Sequence, residues 1–311
     1  MNSISLAMHH VRIRRLREKE FDQIDCFGDN DDDLFGVLQG ILAALKEKAD
    51  DDKKAKQVLE VAEIQTDGRQ IYGIVKTGAY GLSGDLRDVR TNTLAYKKRE
   101  HHADMMPFYF HFDLPQGRDK GILALQRTGM FGIQSALSGF LIKEIKKKFP
   151  DLVLALNLVA TKEVIEQYVG KDSELTEIHF LRYELSPDIA DAIRRSGSPS
   201  EKGSLDFVIK LRDAGFPFKD AILRCVRGTG SPQALVELLD IPFEVDNVKI
   251  KTRTGEQDRT VNLGDPRSGL RADYDVTSDV ELVGGHPTLE SIHLIASTLI
   301  HEHRSALYGK G

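Results

Sequence analysis

The stretch MPFYFHFDLPQGRDKGILALQRTGMFGIQSALSGFLIKEIKKKF, residues 106–149, sets the architecture of this 311-residue chain. In residues 107–114, Phe108, Phe110 and Phe112 alternate with Tyr109, His111 and Asp113. A strand therefore turns the phenylalanines toward a core and the polar set to the opposite, partly solvated face. PQGRDK supplies a turn into a second strand at 121–127. Gly129 and Gly132 then release the chain into a helix whose Ile133, Leu137, Phe140, Leu141 and Ile145 point inward. Its lysines lie outside and gather near the C-terminal end, where they favour the helix dipole. Strand period, turn residues and helix period agree across the whole stretch, and such agreement makes a local reading robust.

Toward the N-terminus, residues 57–66 and 69–77 read as a hairpin across Thr66, Asp67 and Gly68, because β-branched and apolar residues flank a turn-forming pair. Before it comes a helix with Leu34, Leu38, Ile41, Leu42 and Leu45 on one face, whose positive end suits Asp31, Asp32 and Asp33. ADDDKKAK after that helix reads as a solvated connection, and residues 9–16 read as a strand. After Gly78, Gly81 and Gly84, the stretch 85–99 sets Val89, Thr91, Thr93 and Tyr96 among basic residues, which fits an exposed strand or ribbon.

Toward the C-terminus, LVLALNLVA at 152–160 is continuously apolar, as in a strand covered on both faces. A short helix at 162–169 and a strand at 176–185 follow, and Ser186 and Pro187 open another helix. The pattern from 188 to 240 is helical, broken by SGSPSEKGS, FPF and RGTGSP, with a helix at 232–239. Strands near 247–253 and 258–263 flank a turn at Gly255, and a helix runs from 288 to 307. The expected fold class is α+β: a mixed, mainly antiparallel sheet with packed helices, then a helical segment, a β-hairpin and a long C-terminal helix. The expected domains are an α+β sheet domain over 1–187 and a mostly helical elaboration over 188–311, with its hairpin near 247–263, sharing one core.

With 41% hydrophobic and 29% charged residues, the composition excludes a disordered chain. A net charge of −5 gives the whole molecule no strong attraction to nucleic acid or anionic membrane, so such a contact needs a local patch. Arg87, Arg90, Lys97, Lys98 and Arg99 form one basic cluster, and Lys143, Lys146, Lys147 and Lys148 a second. Arg194, Arg195, Arg212, Lys219, Arg224 and Arg227 form a diffuse third. Cys26 and Cys225 are too far apart to resemble a disulfide scaffold and supply no thiolate metal site, which suits a reducing compartment. The N-terminus lacks a secretory apolar region, and no apolar run approaches the ~18 residues that span a bilayer. A cytoplasmic protein without a membrane partner is expected.

The ribbon from Arg87 to His102 has the residues to lie along phosphates, with Tyr96 able to stack on a base. A charged edge protected against aggregation is the plainer meaning of the same residues. The nucleic-acid-binding set is then Arg87, Arg90, Lys97, Lys98 and Arg99, with Lys143, Lys146 and Lys147 if that helix shares the surface. QRTGMFGIQS places Arg127 and Thr128 beside a helix N-terminus, the usual recipe for holding an anion, although it lacks the endings of a P-loop or Rossmann fingerprint.

A two-carboxylate nuclease site would draw on Glu60 and Glu63, preceded by the acidic Asp29–Asp33 loop, with Gln65 where a lysine is expected. Only that reading calls for a cofactor, Mg²⁺ or Mn²⁺; otherwise no cofactor and no resident metal is expected. HEHR at 301–304 is not a zinc motif, and His303 follows Leu299 and Ile300 on a buried stripe, which makes it an interior or interface histidine. Tyr109, His111 and Asp113 share a strand face on which an imidazole and a carboxylate can act together.

PFYFHFDLP followed by GILALQRTGMFGIQSAL resembles the central stretch of uncharacterised bacterial proteins of about this size that occur in antiphage defence loci. The resemblance implies a cytoplasmic defence component and carries over no catalytic residue. The function expected first is a nucleic-acid-binding or sensing protein, DNA or RNA, homo-oligomeric and with room for a partner protein. A metal-dependent nuclease is the second reading, and a non-enzymatic assembly protein the third.

Overall fold

The computed structural model describes residues 3–129, 131–158, 166, 169, 174–182, 205–211, 216–227, 229–230, 247–254, 257–262 and 271–308. The first elements are β1 (Ile4–Arg15), α1 (Leu34–Glu47), β2 (Asp50–Asp52), β3 (Gln57–Asp67) and β4 (Gln70–Ala79). Next come β5 (Gly84–Asp88), β6 (Thr93–Lys98), β7 (Met106–Asp113), β8 (Gly121–Thr128), β9 (Phe131–Gly132), α2 (Gln134–Lys148) and β10 (Leu152–Leu158). Then follow β11 (Glu174–Arg182), β12 (Leu205–Lys210), α3 (Phe216–Arg227), β13 (Asn247–Thr254), β14 (Gln257–Asn262) and β15 (Arg271–Asp275). β16 (Leu282–Val283), β17 (His286–Pro287) and α4 (Leu289–Tyr308) end the chain. The fold is α+β with mainly antiparallel pairing, as the sequence predicts.

The chain divides into two compact units. The first holds Met1–Ile4, His9–Asn157 and Val280–Ile300; the second holds Ser5–Met8, Leu158–Asp279 and His301–Gly311. In the first unit the strand order runs β8-β7-β4-β3-β2, with β1 beside β8 and β10 on β1. Phe108, Phe110 and Phe112 join Val11, Ile13, Leu59, Val61, Ile71 and Val75 on one sheet face, where α1 and α2 bury Leu38, Leu42, Leu137, Leu141 and Ile145. That face is hydrophobic because every inward position is aliphatic or aromatic, and burying a single such side chain contributes roughly 1.5–3 kcal/mol.

Local chemistry fixes the ends of α1. Asp33 caps it by accepting from the Phe35 amide, and the same carboxylate takes two bonds from the Arg69 guanidinium at 2.7 and 2.8 Å. The ADDDKKAK segment is more than a connection. Its Asp50–Asp52 form the edge strand β2, paired with Gln57–Leu59.

In the second unit β11 lies between β12 and β13, with Ile178 opposite both Ile209 and Ile250. β13 continues through β14 to β15, and Ser5–Ala7 of β1 pair with Asp273–Asp275. Within 188–240 the expected helical character holds for α3, which FPF, read as a helix breaker, opens, and is corrected at Leu205–Lys210, which is a strand. Six residues are too few for periodicity to decide between strand and helix, and pairing with β11 settles it. Apart from Glu166 and Val169, the helix expected at 162–169 lies outside the described residues. The helices expected at Ser186–Pro187 and 232–239, and the turn at Gly255, also lie outside them. Among the described residues no helix is long and apolar enough to cross a membrane.

Candidate nucleic-acid interface and a buried histidine network

Between β4 and β7 the chain leaves the sheet as an arm. β5 and β6 pair only with each other. Two glycines root the arm: at Gly78 a Cβ would stand 2.2 Å from the Asp104 carbonyl oxygen, and Gly81 turns with φ +103 to donate its amide to the Glu100 carbonyl at 2.6 Å. Lys98 pairs with Asp104, and the Tyr96 hydroxyl meets His102 Nδ1 at 2.7 Å. A bulge between Leu86 and Arg87 sets Leu86 against Tyr96 and Arg87 against Leu94. By strand alternation Leu86 and Tyr96 then share one ribbon face, and Arg87, Leu94 and Lys97 share the other.

The tip is rigidly built. Asp88 Oδ1 accepts the amides of Arg90 and Thr91 at 2.8 and 3.3 Å, and Arg87 donates to the carbonyl and side-chain oxygens of Asn92 at 2.8 and 3.0 Å. Thr91 and Thr93 share a hydroxyl bond, and Asn92 takes the left-handed conformation that asparagine tolerates. Held out by this loop, Val89 is 91% exposed. Among the described residues Arg87, Arg90, Lys97 and Arg99 make no ion pair; Lys98 makes one.

The other basic clusters are more compensated. On α2, Lys143 pairs with Asp50 at 2.8 Å, which raises its pKa, and Lys147 pairs with Glu144 at 2.6 Å; among the described residues Lys146 and Lys148 stay outside such pairs. Lys143 and Lys147, placed above with the nucleic-acid-binding set, both sit against carboxylates of their own unit. In the second unit Arg227 meets Glu166 at 2.9 Å and Arg224 lies 4.0 Å from Asp220, while Arg194, Arg195 and Arg212 lie outside the described residues. The structure separates Arg127 from Thr128. Thr128 is buried with its hydroxyl accepting from Gln126, whereas Arg127 is exposed on the other side of β8.

Tyr109, His111 and Asp113 do share a face, and the partly solvated face expected for them is corrected: all three are buried. The N-terminal part of α4 covers them, bringing His293. The Gln70 amide dictates the direction of the bonds: its nitrogen donates to Asp113 at 3.4 Å, and its oxygen, which only accepts, faces His111 Nε2 at 3.2 Å. Neutral His111 then carries its proton on Nε2, and its Nδ1 accepts the Tyr109 hydroxyl at 3.0 Å. Tyr109 in turn accepts from His293 Nδ1 at 2.9 Å, leaving His293 Nε2 to accept from Ser297 at 3.5 Å. One polarised chain results.

Burial first, and then the neighbouring His293, lower the His111 pKa to about 3; burial also lowers that of His293 and pushes the Tyr109 hydroxyl well up. The network is thus neutral throughout its centre. Tyr72 stacks on His293 with ring centres 3.8 Å apart and donates its hydroxyl to Gln65, which bonds Glu63 at 2.8 Å. Two sets of candidates from distant parts of the sequence, Glu63 and the Tyr109–Asp113 row, are therefore joined through Gln65, Tyr72 and His293. Glu60 stands opposite Lys76 in the strand register.

The carboxylates expected to converge with Glu60 and Glu63 are occupied elsewhere, Asp29 by Arg15 and Asp33 by Arg69. Among the described residues no group of three histidine, cysteine or acidic side chains can hold a metal ion. Sequence reasoning missed Gln70, Tyr72 and His293. The signal for His293 was its position three before Ala296 and seven before Ile300, on the buried stripe of α4. No protein-family model and no curated protein sequence matches the chain.

Proposed function

We propose that this protein binds nucleic acid through the β5–β6 arm, as a component of bacterial antiphage defence. One observation carries the reading: a two-stranded ribbon stands apart from the main sheet with Arg87, Arg90, Lys97 and Arg99 outside any ion pair among the described residues. Arginine and lysine at such a site bind phosphates and release condensed counterions. The defence assignment draws on the resemblance of the central strands and helix to proteins of defence loci. The acidic balance of the whole chain makes the interaction local, so its salt dependence reports the few phosphates the arm touches.

Fluorescence anisotropy with labelled duplex DNA, duplex RNA and single strands tests the reading. Engagement of four phosphates gives a log–log salt slope of about −3.6 on duplex DNA. The variant R87Q/R90Q/K97Q/R99Q should weaken binding and flatten that slope toward zero. Unchanged affinity and slope in the variant would refute the arm as the interface.

A further inference from the structure

The arm ends in a feature that phosphate binding alone does not use. Val89 at its apex is the most exposed large hydrophobic residue among those described, more so than Leu82 at 77%. It is not a loose loop residue. Asp88 and the Arg87–Asn92 bonds brace the turn from both sides, so the bare side chain is presented with little conformational entropy left to lose on binding. Arg90, adjacent to it, has no carboxylate partner among the described residues.

Resting on the function proposed above, we infer that the ligand is duplex DNA and that Val89 is a wedge, inserted from the minor groove at a base step while Arg90 lies in that groove. A positively charged tip is drawn to the negative potential of the minor groove, and an apolar side chain pushed between base pairs unstacks them and bends the duplex. The paired strands behind the tip are too wide for the groove, so the tip enters and Arg87 and Lys97 remain for the flanking phosphates. Chemistry favours DNA over a protein pocket for the same apex, because the tip from Arg87 to Asn92 carries two arginines against the single carboxylate of Asp88, a net positive charge that suits a polyanion. Duplex RNA fits less well, since its minor groove is wide and shallow.

The test uses the full chain and a duplex of about 30 base pairs, short enough that it stays nearly straight unless the protein bends it, carrying a fluorophore at each end and 2-aminopurine at candidate steps. Binding should raise energy transfer between the ends and increase 2-aminopurine emission. V89A should abolish both signals while lowering affinity no more than about tenfold and leaving the salt slope unchanged, since no charge is lost. V89L, which keeps an apolar wedge, should restore them. The apex packs against nothing, so the variants should match the parent in melting temperature. Binding without bending, or bending that persists in V89A, overturns the wedge and leaves the arm as interface. A preference for single strands or duplex RNA overturns it too. An arm that captures protein and not nucleic acid overturns both proposals.

Discussion

At the scale of single residues, buried histidines tie stability to pH. His9 and His10 have pKa values lowered to about 4 and His111 to about 3, in each case chiefly by burial. The folded protein therefore binds fewer protons than the unfolded chain once pH drops below the ordinary histidine value. Stability is full above about pH 6.5 and is lost progressively toward pH 4 and below, which urea titrations across that range should record. Asp33, held low by Arg69, adds a further loss at the acid end. His9 is a special case, because both ring nitrogens are buried without a hydrogen-bond partner among the described residues. Replacing it by leucine removes an unsatisfied polar group and should raise the unfolding free energy by about 1–3 kcal/mol. A destabilised His9→Leu protein would show that the imidazole holds something in place.

Elements differ in how much of them is legible in sequence, and the difference is physical. β7, α1 and α2 each carry a complete period, and most of the positions it turns inward are buried, among them Phe108, Leu38 and Ile145, while β8 is buried on both faces. What periodicity could not show was the cover on the second face of β7. Tyr109, His111 and Asp113 look solvated because they are polar, yet a helix some 180 residues later brings His293 against Tyr109 and His111, and Gln70 bonds His111 and Asp113. Polarity predicts exposure only when no distant partner exists. β12 and β2 were missed for the related reason that short strands are defined by their neighbours. The arm was read correctly as an exposed basic ribbon, although the glycines rooting it speak only once the chain is folded. Gly78→Ala should cost about 1–3 kcal/mol by overpacking against Asp104, and a melting curve unchanged from the parent would contradict that geometry.

For the whole molecule, the sequence predicts one core with an elaboration beginning near residue 188, whereas the structure groups the chain into two units that share β1 and α4 by sequence. Ser5–Met8 belong to one and His9–Arg15 to the other, and α4 is divided at Ile300. A boundary that cuts through the middle of two elements leaves no linker signature of proline, glycine or charge to read. The proposed function was legible only as charge. Among the described residues the arm keeps most of its cations outside ion pairs, and telling compensated from uncompensated lysines requires knowing that Asp50 meets Lys143 across 93 positions.

The arm's removal tests the central claim most directly. Its ends, Gly81 and Glu100, already share a backbone hydrogen bond of 2.6 Å, so residues 82–99 can be replaced by a short Gly-Ser link. Anisotropy at low salt should then show at least a tenfold loss of duplex affinity, about 1.4 kcal/mol or more, at an unchanged melting temperature. Full retention of affinity by the armless, folded protein would contradict the account.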